Sequence, residues 1–290
     1  MNKLESKVTE KYSGIKIVDY LKREMQLSVS LVKKVKFGGV FINGENVHMR
    51  ALVNAGDTVT VILPEEASEG IRPIEMPLDI IYEDEYLIAV NKPSDMPTHP
   101  SRGNSLPTLA EGLMAYFKNE KFVFRSINRL DRGTSGIVIV AKNAFIANKL
   151  SLEMKRGGFL KKYSAIVKGI PNPKEATIDA PIDRIEEGNI KRAVLDSGKR
   201  AITDYKLIST YEDGNSLLEI TLHTGRTHQI RVHMSHIGHP LVGDFLYGEC
   251  DGYKNYFLHA KSIEISHPIS GERLILNSKE NFNYDSKDNN

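Results

Sequence analysis

The sequence predicts an α+β protein with two domains. From residue 77 onward, short apolar strand candidates alternate irregularly with helical stretches, which does not match a regular βαβ repeat. Before this region, residues 64–76 mix Pro, Gly, Ser and acidic residues without apolar periodicity, a composition typical of linkers. The last ten residues are mostly polar. We therefore expect a small domain at 1–63, a linker at 64–76, a large domain at 77–280 and a disordered tail at 281–290.

The small domain is predicted to consist of a helix pair followed by a hairpin. Apolar residues recur at helical spacing within 15–25, and Ser28 is suited to cap a second helix that two later glycines would end. Asn43-Gly44 follows a β-branched segment and is a strong signal for a two-residue hairpin turn. A further strand is expected at 58–63.

Positive charge is concentrated in the small domain. Residues 1–63 contain ten Lys or Arg and six Asp or Glu, a net charge of +4, whereas the whole chain carries +2. Lys33, Lys34 and Lys36 are expected on the exposed side of the second helix, where they could bind nucleic-acid phosphates. The alternative interpretation is an ordinary solvated helix face.

The large domain is predicted to contain a mixed, largely antiparallel sheet with flanking helices. Its strand candidates are 86–90, 136–141, 163–168 and 217–222, and its helices lie near 109–119 and 144–155. Irregular alternation of this kind favours an α+β arrangement.

Composition limits the class of protein. The 290 residues are 40% hydrophobic and 26% charged, which is typical of a globular protein. No run approaches the roughly 18 apolar residues that a membrane span requires, and the first residues lack a secretory signal pattern. Cys250 is the only cysteine, so no internal disulfide can form. We expect a cytoplasmic protein without membrane contact, and nothing in the sequence implies a protein partner.

The segment 127–136 places a carboxylate just before a predicted buried strand. Asp131 lies between Arg129 and Arg132, and two nearby glycines would let a ligand approach closely. In this setting the carboxylate could be ionised and exposed to a substrate. The alternative is that Asp131 only shapes a turn, since Asp is common in turns.

A second polar segment, 224–233, contains two arginines five residues apart, Arg226 and Arg231, beside the amide of Gln229. Guanidinium groups bind carboxylates in bidentate geometry and also bind phosphates, so the segment could handle anions. The alternative is a surface junction between a strand and a helix.

Tyr163 begins one of the predicted strands. An aromatic ring at a strand start can line a pocket and stack on a flat ligand. The alternative, a half-buried strand residue, is equally consistent with the position.

Several other kinds of site are disfavoured. The histidines in the second polar segment and just after it are spaced by five, three and three residues, which does not match a two-histidine zinc motif. Neither a nucleophilic-serine elbow nor a phosphate-binding or dinucleotide-binding glycine motif occurs. We expect no metal and no organic cofactor, with a zinc hydrolase kept as a competing hypothesis.

Together these segments resemble the Rlu-type, large-subunit ribosomal RNA pseudouridine synthases, in order from about Gly14 to Leu276. Residues 90–100 are similar to the family's Asn-Lys-Pro motif, and 129–136 to its catalytic-aspartate motif. Lys161 and Tyr163 match its Lys-x-Tyr position, and the second polar segment resembles the motif with its active-site arginine. Residues 14–63 resemble the RNA-binding module of the fourth small-subunit ribosomal protein.

The resemblance implies an enzyme that isomerises chosen uridines of a structured RNA to pseudouridine. Asp131 would either attack C1′ of the ribose or assist formation of a glycal, and the residues do not choose between these routes. Arg226 would pair with Asp131, and Tyr163 would stack on the uracil and could also take part in the final proton removal, directly or through water. Contacts to RNA or to the target nucleotide are expected from a further set of residues: Lys92, Arg129, Gln229, Arg231, Lys33, Lys34 and Lys36.

The partner implied is RNA, with large-subunit ribosomal RNA first and transfer RNA second. One departure is Asn128, which stands where many members of the family have His. A noncatalytic RNA-binding or ribosome-assembly protein that retains the fold is therefore the competing hypothesis.

Overall fold

A computed structural model of the chain describes residues 3–64, 70–101, 105–280 and 282–284. Its strands form a four-stranded sheet near the N-terminus, a nine-stranded sheet in the large domain and a separate two-stranded hairpin. Within these ranges, no helix combines the length and hydropathy needed to cross a bilayer.

The N-terminal domain contains the predicted helix pair and hairpin. Its elements are β1 (Lys3–Lys7), α1 (Ile17–Arg23), α2 (Val29–Val35), β2 (Val40–Ile42), β3 (Glu45–Asn46) and β4 (Thr58–Ile62). The Ser28 side chain accepts a hydrogen bond from the backbone amide of Leu31, as expected of an N-cap. Asn43 and Gly44 both have positive φ, as a type I′ hairpin turn requires. Strand β1, which the sequence analysis missed, pairs with β4 at the edge of the sheet.

The large domain contains eleven further strands and three helices within the described residues. They are β5 (Asp79–Glu83), β6 (Leu87–Lys92), α3 (Leu109–Tyr116), β7 (Ser135–Ala141), α4 (Ala144–Lys155), β8 (Leu160–Val167), β9 (Glu175–Asp179), β10 (Ile182–Arg184), β11 (Arg192–Val194), β12 (Ile202–Thr210), β13 (Ser216–Leu222), α5 (Gln229–His236), β14 (Leu258–Ser266) and β15 (Arg273–Asn277). Strands β10 and β11 form the separate hairpin.

The nine-stranded sheet has the order β5-β6-β7-β14-β8-β13-β12-β9, with β15 paired to β14. Strands β7 and β14 run parallel, and the other pairs are antiparallel. The predicted mixed, largely antiparallel sheet is therefore confirmed.

The parallel contact between β7 and β14 depends on Gly136. Its φ is +109°, and a Cβ atom at this position would lie 2.6 Å from the backbone nitrogen of Ala260, with the Ala260 carbonyl oxygen closer still. Only glycine allows the two backbones to approach this closely. The contact holds the loop that precedes β7 against the middle of the sheet.

The apolar core lies on both faces of the large sheet. One face packs with α4 and with the buried residues of the N-terminal domain, so the two domains share a continuous core. The Asn148 side-chain amide of α4 also donates to the carbonyl of Gln26 at 2.6 Å. The other face is covered by α3 and α5.

The structure describes the predicted linker and the predicted tail only in part. The linker predicted at 64–76 includes 65–69, which lie outside the described residues; in the remainder, the Ile74 amide donates to the carbonyl of Glu111 on α3. Of the predicted tail at 281–290, only 282–284 is described. There Tyr284 contacts the ring of Phe257 at 5.1 Å between centroids, so ordered packing extends beyond residue 280.

Candidate active site

Asp131 lies in the loop before β7, at one side of a cavity of about 380 Å³. The cavity forms where this loop meets the start of β8, the end of β13 and the N-terminus of α5. The Asp131 side chain is 36% exposed, so its carboxylate is accessible from the cavity. The volume lies within the range of small-ligand pockets.

The loop that carries Asp131 is fixed by buried polar contacts. Asn128 is buried, and its amide nitrogen donates to the carbonyl of Ile137 while its oxygen accepts from the amide of Ile139, at 2.8 and 2.9 Å. The Thr98 hydroxyl donates to the carbonyl of Leu130 at 2.9 Å. Asn128 therefore fastens the loop to β7, and both hydrogen-bonding ends of its side chain are used by the backbone.

Lys92 also fixes the loop that carries Asp131, through hydrogen bonds to backbone carbonyls. Its side chain is fully buried, and the ammonium donates to the carbonyls of Pro93, Met96 and Arg132 at 2.8, 2.7 and 3.3 Å. Burial lowers the pKa of Lys92 to about 7, against the opposing effect of the nearby Asp131 and Asp95 carboxylates. The ammonium is enclosed by backbone in this structure, and the predicted contact of Lys92 with RNA or the target nucleotide stays a prediction.

Tyr163 lies on β8 and lines the cavity, as predicted for a residue next to Asp131. Its ring is 7% exposed, and burial raises the pKa of the phenol, with the charge of Asp131 adding to the effect. The side chain is therefore neutral and presents a flat apolar surface. Stacking on a base stays a prediction.

The two arginines of the second polar segment differ in exposure: Arg226 is exposed and Arg231 is buried. Arg226 lines the outer part of the cavity, and its Nε donates to the carbonyl of Arg200 at 3.0 Å. No ion pair joins Arg226 to Asp131 in the described part of the chain, and the predicted pairing stays a prediction. Arg226 lies in the exposed turn before α5, so its side chain extends along the surface.

Arg231, by contrast, points inward from α5. Its Nε and Nη2 donate to Oδ2 and Oδ1 of Asp244, both at 2.7 Å, and its guanidinium lies 4.3 Å from the ring centroid of Tyr256. Burial opposes the charge, but the hydrogen bonds that Arg231 donates to Asp244 and the charge of Asp131 raise the pKa of Arg231 overall. The residue is 5% exposed, and its predicted contact with RNA or the target nucleotide stays a prediction. Arg231 is thus a buried cation at the cavity, which Lys161 also lines.

Gln229 is predicted to contact RNA or the target nucleotide, and this stays a prediction, although its side chain is bonded within the protein here. Its oxygen accepts from the Thr224 hydroxyl and the Arg226 amide, and its nitrogen donates to the Ile202 carbonyl and the Thr203 hydroxyl. With 3% exposure and every hydrogen-bonding position used, it braces the turn. Arg129 is exposed at the cavity, so its contact with RNA stays a prediction.

His228 is a cavity residue that the sequence analysis considered only as a metal ligand. Its Nε2 lies 3.8 Å from Oδ2 of Asp131, and its Nδ1 lies 2.7 Å from the hydroxyl of Tyr247. The neighbouring histidines bind elsewhere: His233 contacts Thr203, and His239 contacts the carbonyl of Lys168. Among the described residues, no group of three or more His, Cys, Asp or Glu is placed to hold a metal ion.

The three lysines of the N-terminal domain are exposed, at the end of α2 and just after it. The Lys36 ammonium lies 5.0 Å from the ring centroid of Phe37, which is 84% exposed. Binding of Lys33, Lys34 and Lys36 to RNA stays a prediction.

Comparison with known proteins gives a consistent result. A family model described as RNA pseudouridylate synthase matches residues 86–236. The uncharacterized RNA pseudouridine synthase YjbO of Bacillus subtilis is 38% identical over 257 residues, which cover 87% of this chain and 90% of that protein. Ribosomal large subunit pseudouridine synthase D of Xanthomonas campestris is 36% identical over 83% of this chain and 77% of that protein.

Among solved structures, human RNA pseudouridylate synthase domain containing 1 is similar, with a TM-score of 0.59 and 29% identity. The similarity covers 70% of this chain and 84% of the human one. A second human protein, RNA pseudouridylate synthase domain containing 4, has a TM-score of 0.56 and 25% identity, over 69% of this chain and 88% of that one.

Proposed function

The chain belongs to the RNA pseudouridylate synthase family and isomerises uridine in RNA to pseudouridine, and from this we propose that Asp131 is the carboxylate that acts on the target nucleotide. The observation that supports this most directly is the accessible Asp131 side chain in one cavity with Tyr163, beside the buried cation Arg231. Cavities that combine a flat apolar wall with a few convergent charged groups are typical of active sites.

The reaction breaks the bond between C1′ and N1 of uridine, turns the uracil, and forms a bond between C1′ and C5. The proton on C5 then leaves, and N1, which is no longer bonded to the ribose, takes up a proton. Substrate and product are isomers, so the balance needs no oxidant, no reductant and no external energy. Asp131 either attacks C1′ and is later displaced, or assists formation of a glycal. Both routes require an ionised carboxylate at the ribose.

Arg231 supplies fixed positive charge to this chemistry. Its guanidinium is held by the two hydrogen bonds that it donates to Asp244 and by packing on Tyr256, so it does not need to reorganise when charge develops. A preorganised charge in a water-poor site stabilises negative charge more strongly than a mobile one. We assign to Arg231 the supporting role that the sequence analysis gave to Arg226.

Tyr163 provides the wall against which the detached uracil can rest. A neutral, nearly buried ring offers a stacking surface without competing for the proton on C5. The uracil has to stay in the cavity while it turns, because a base lost to solvent would leave the RNA abasic. The target uridine also has to leave its helical stack to reach Asp131, which favours loops and bulges as substrates.

Large-subunit ribosomal RNA is the proposed substrate class. Relatives from Xanthomonas campestris, Pasteurella multocida and Pseudomonas aeruginosa, 33–36% identical, carry the name ribosomal large subunit pseudouridine synthase D. Transfer RNA is the second candidate. We also propose that residues 3–63 bind RNA next to the target, with the exposed Lys33, Lys34 and Lys36 contacting phosphates.

Tritium release tests the proposal. RNA transcribed with uridine labelled at C5 loses the label only when C5 becomes bonded to C1′, so release reports the reaction itself. We expect release from a large-subunit ribosomal RNA transcript by the wild type and none by Asp131→Asn, which keeps the shape of the side chain but removes its charge. Asp196→Asn, at an exposed carboxylate away from the cavity, should behave as the wild type.

Release from transfer RNA alone would move the substrate to the second candidate. Activity retained by Asp131→Asn would reject Asp131 as the reacting carboxylate. If the wild type binds both RNAs and releases tritium from neither, the noncatalytic hypothesis is the better one.

A further inference from the structure

His228 adopts a left-handed backbone conformation, which is unusual for a residue other than glycine. Its φ is +58° and its ψ is +19°, in the left-handed region that few residues other than glycine occupy. It is the N-cap residue of α5, yet its side chain makes no capping hydrogen bond. The imidazole instead points into the cavity that contains Asp131. Unusual backbone geometry of this kind is concentrated at functional sites.

The hydrogen bonds of Tyr247 define which nitrogen of His228 carries a proton. The Tyr247 hydroxyl lies 2.9 Å from the backbone amide of Arg192, which can only donate, so the hydroxyl oxygen accepts that bond. Burial raises the pKa of Tyr247, so its own proton is retained and is free to be donated. The Tyr247 hydroxyl oxygen also lies 2.7 Å from Nδ1 of His228. Among the described contacts of this hydroxyl, Nδ1 is the group that can accept its proton, so we take Nδ1 as the acceptor and place the proton of the neutral ring on Nε2.

Charged groups surround the ring on several sides. Asp131 and Asp244 favour its protonated form, whereas Arg231 and Arg192 disfavour it. Burial is the largest influence, and the pKa of His228 is lowered overall. The ring is therefore neutral near pH 7, and it offers Nε2–H toward the carboxylate.

The distance from Nε2 to Oδ2 of Asp131 is 3.8 Å, longer than a hydrogen bond by less than 1 Å. Contacts between catalytic groups are often long without substrate and shorten when substrate fills the site. Both side chains line the same cavity, and a shortening of less than 1 Å brings the two atoms within hydrogen-bond distance.

We propose that His228 is a positioning residue: its Nε2–H, fixed by Tyr247, donates to Oδ2 of Asp131 when a uridine enters, leaving Oδ1 to act at the ribose. This inference rests on the proposed role of Asp131. A hydrogen bond to one carboxylate oxygen holds the side chain in a single rotamer, so the other oxygen is aimed at the sugar.

Two substitutions at the same position separate positioning from a structural role. The side-chain nitrogen of Gln reaches about as far as Nε2, whereas that of Asn reaches only as far as Nδ1. Asn, however, tolerates the left-handed backbone better than Gln. A purely structural role predicts that His228→Asn works at least as well as His228→Gln, and a positioning role predicts the reverse.

We expect His228→Asn to lower kcat for tritium release from the large-subunit ribosomal RNA transcript by roughly 10- to 100-fold, the range for loss of a hydrogen bond to a charged group. The KM for RNA should be unchanged. His228→Gln should recover about tenfold relative to Asn, although its thermal unfolding midpoint is expected to be the lower of the two. Equal kcat values, or a higher value for Asn, would overturn the proposal.

A spectroscopic readout tests the same assignment without catalysis. In protein labelled with 15N-histidine, the signals of His228 are those missing from His228→Gln. We expect a protonated Nε2 and an unprotonated Nδ1 in the wild type, and a mixture of tautomers in Tyr247→Phe. A protonated Nδ1 in the wild type would refute the inference even if Asp131 proves essential. Absence of tritium release by the wild type would instead count against the proposed function. The tautomer would still show whether Nδ1 of His228 accepts a hydrogen bond from Tyr247.

Discussion

Replacing Asp244 by Asn is expected to destabilise the protein by about 3–5 kcal/mol, the effect of breaking a buried ion pair. Asp244 is fully buried, and the Arg231 side chain is only 6% exposed. The substitution leaves the guanidinium charged and turns an amide nitrogen toward its donors. One carboxylate oxygen also accepts from the amides of Leu246 and Tyr247, at 3.1 and 3.2 Å, so the turn after Asp244 loosens as well.

The chain contains a matched control for this experiment. Asp179 forms the same kind of bidentate contact with Arg200, with one N–O distance of 2.7 Å, but the two side chains are 45% and 71% exposed. Exposed pairs contribute little because water and salt screen them. In urea titrations, Asp179→Asn should leave the free energy of unfolding close to the wild-type value. Similar losses for Asp244→Asn and Asp179→Asn would refute the reasoning.

A double variant separates stability from activity. Arg231→Met combined with Asp244→Leu removes both charges, and apolar residues in place of a buried pair often restore stability. We expect it to be more stable than Asp244→Asn and still deficient in tritium release, because the cavity has lost its fixed cation. Wild-type activity in this double variant would contradict the role assigned to Arg231.

Three further predictions concern the loop, the sheet and the RNA contact. The pKa of Lys92 is about 7 in the folded chain and about 10.4 when unfolded, so the unfolded chain binds more protons between these values. The free energy of unfolding of the wild type should therefore rise with pH relative to that of Lys92→Met, by at most about 1.4 kcal/mol per pH unit between about 7 and 10. If the difference between the two proteins does not change with pH, the pKa of Lys92 is not lowered in the folded chain. Gly136→Ala should cost about 3 kcal/mol or more in thermal or urea unfolding, since its Cβ would meet the Ala260 backbone; a stable variant would show that the two strands can separate. Replacing Lys33, Lys34 and Lys36 together by Gln should reduce the slope of log K against log salt by about 2–3 for RNA binding, and an unchanged slope would place the phosphates elsewhere.

Local signals in the sequence predicted local features of the fold well. The cap at Ser28 and the turn at Asn43-Gly44 depend on a few neighbouring residues, and both occur as expected. Strand β1 was missed because it is polar and becomes a strand only by pairing with β4. The order of strands in the large sheet is likewise set by contacts between distant segments.

In the candidate site, too, features that depend on contacts between distant segments could not be predicted from the sequence. Asp131 and Tyr163 line one cavity, as the ordered motifs suggested. The roles of the two arginines could not be separated, because the residue that decides between them is Asp244, thirteen positions after Arg231. Lys92 was expected to bind RNA, but three backbone carbonyls enclose its ammonium. Charge in a sequence indicates which groups can bind an anion, and only burial shows which of them remain accessible.

The parallel contact of β7 with β14 also sets when the site can assemble during synthesis. Ser135 pairs with His259, and their separation of 124 positions makes this one of the long loops that must close before the Asp131 loop is supported from both sides. The N-terminal domain, whose sheet pairs β1 with β4 within the first 62 residues, has no such delay. At about 5–20 residues per second, the roughly 200 residues between β4 and His259 take about 10–40 seconds to synthesise, and during this time the proposed RNA-binding domain is already synthesised while the cavity is unformed. Such an intermediate could hold an RNA but could not modify it.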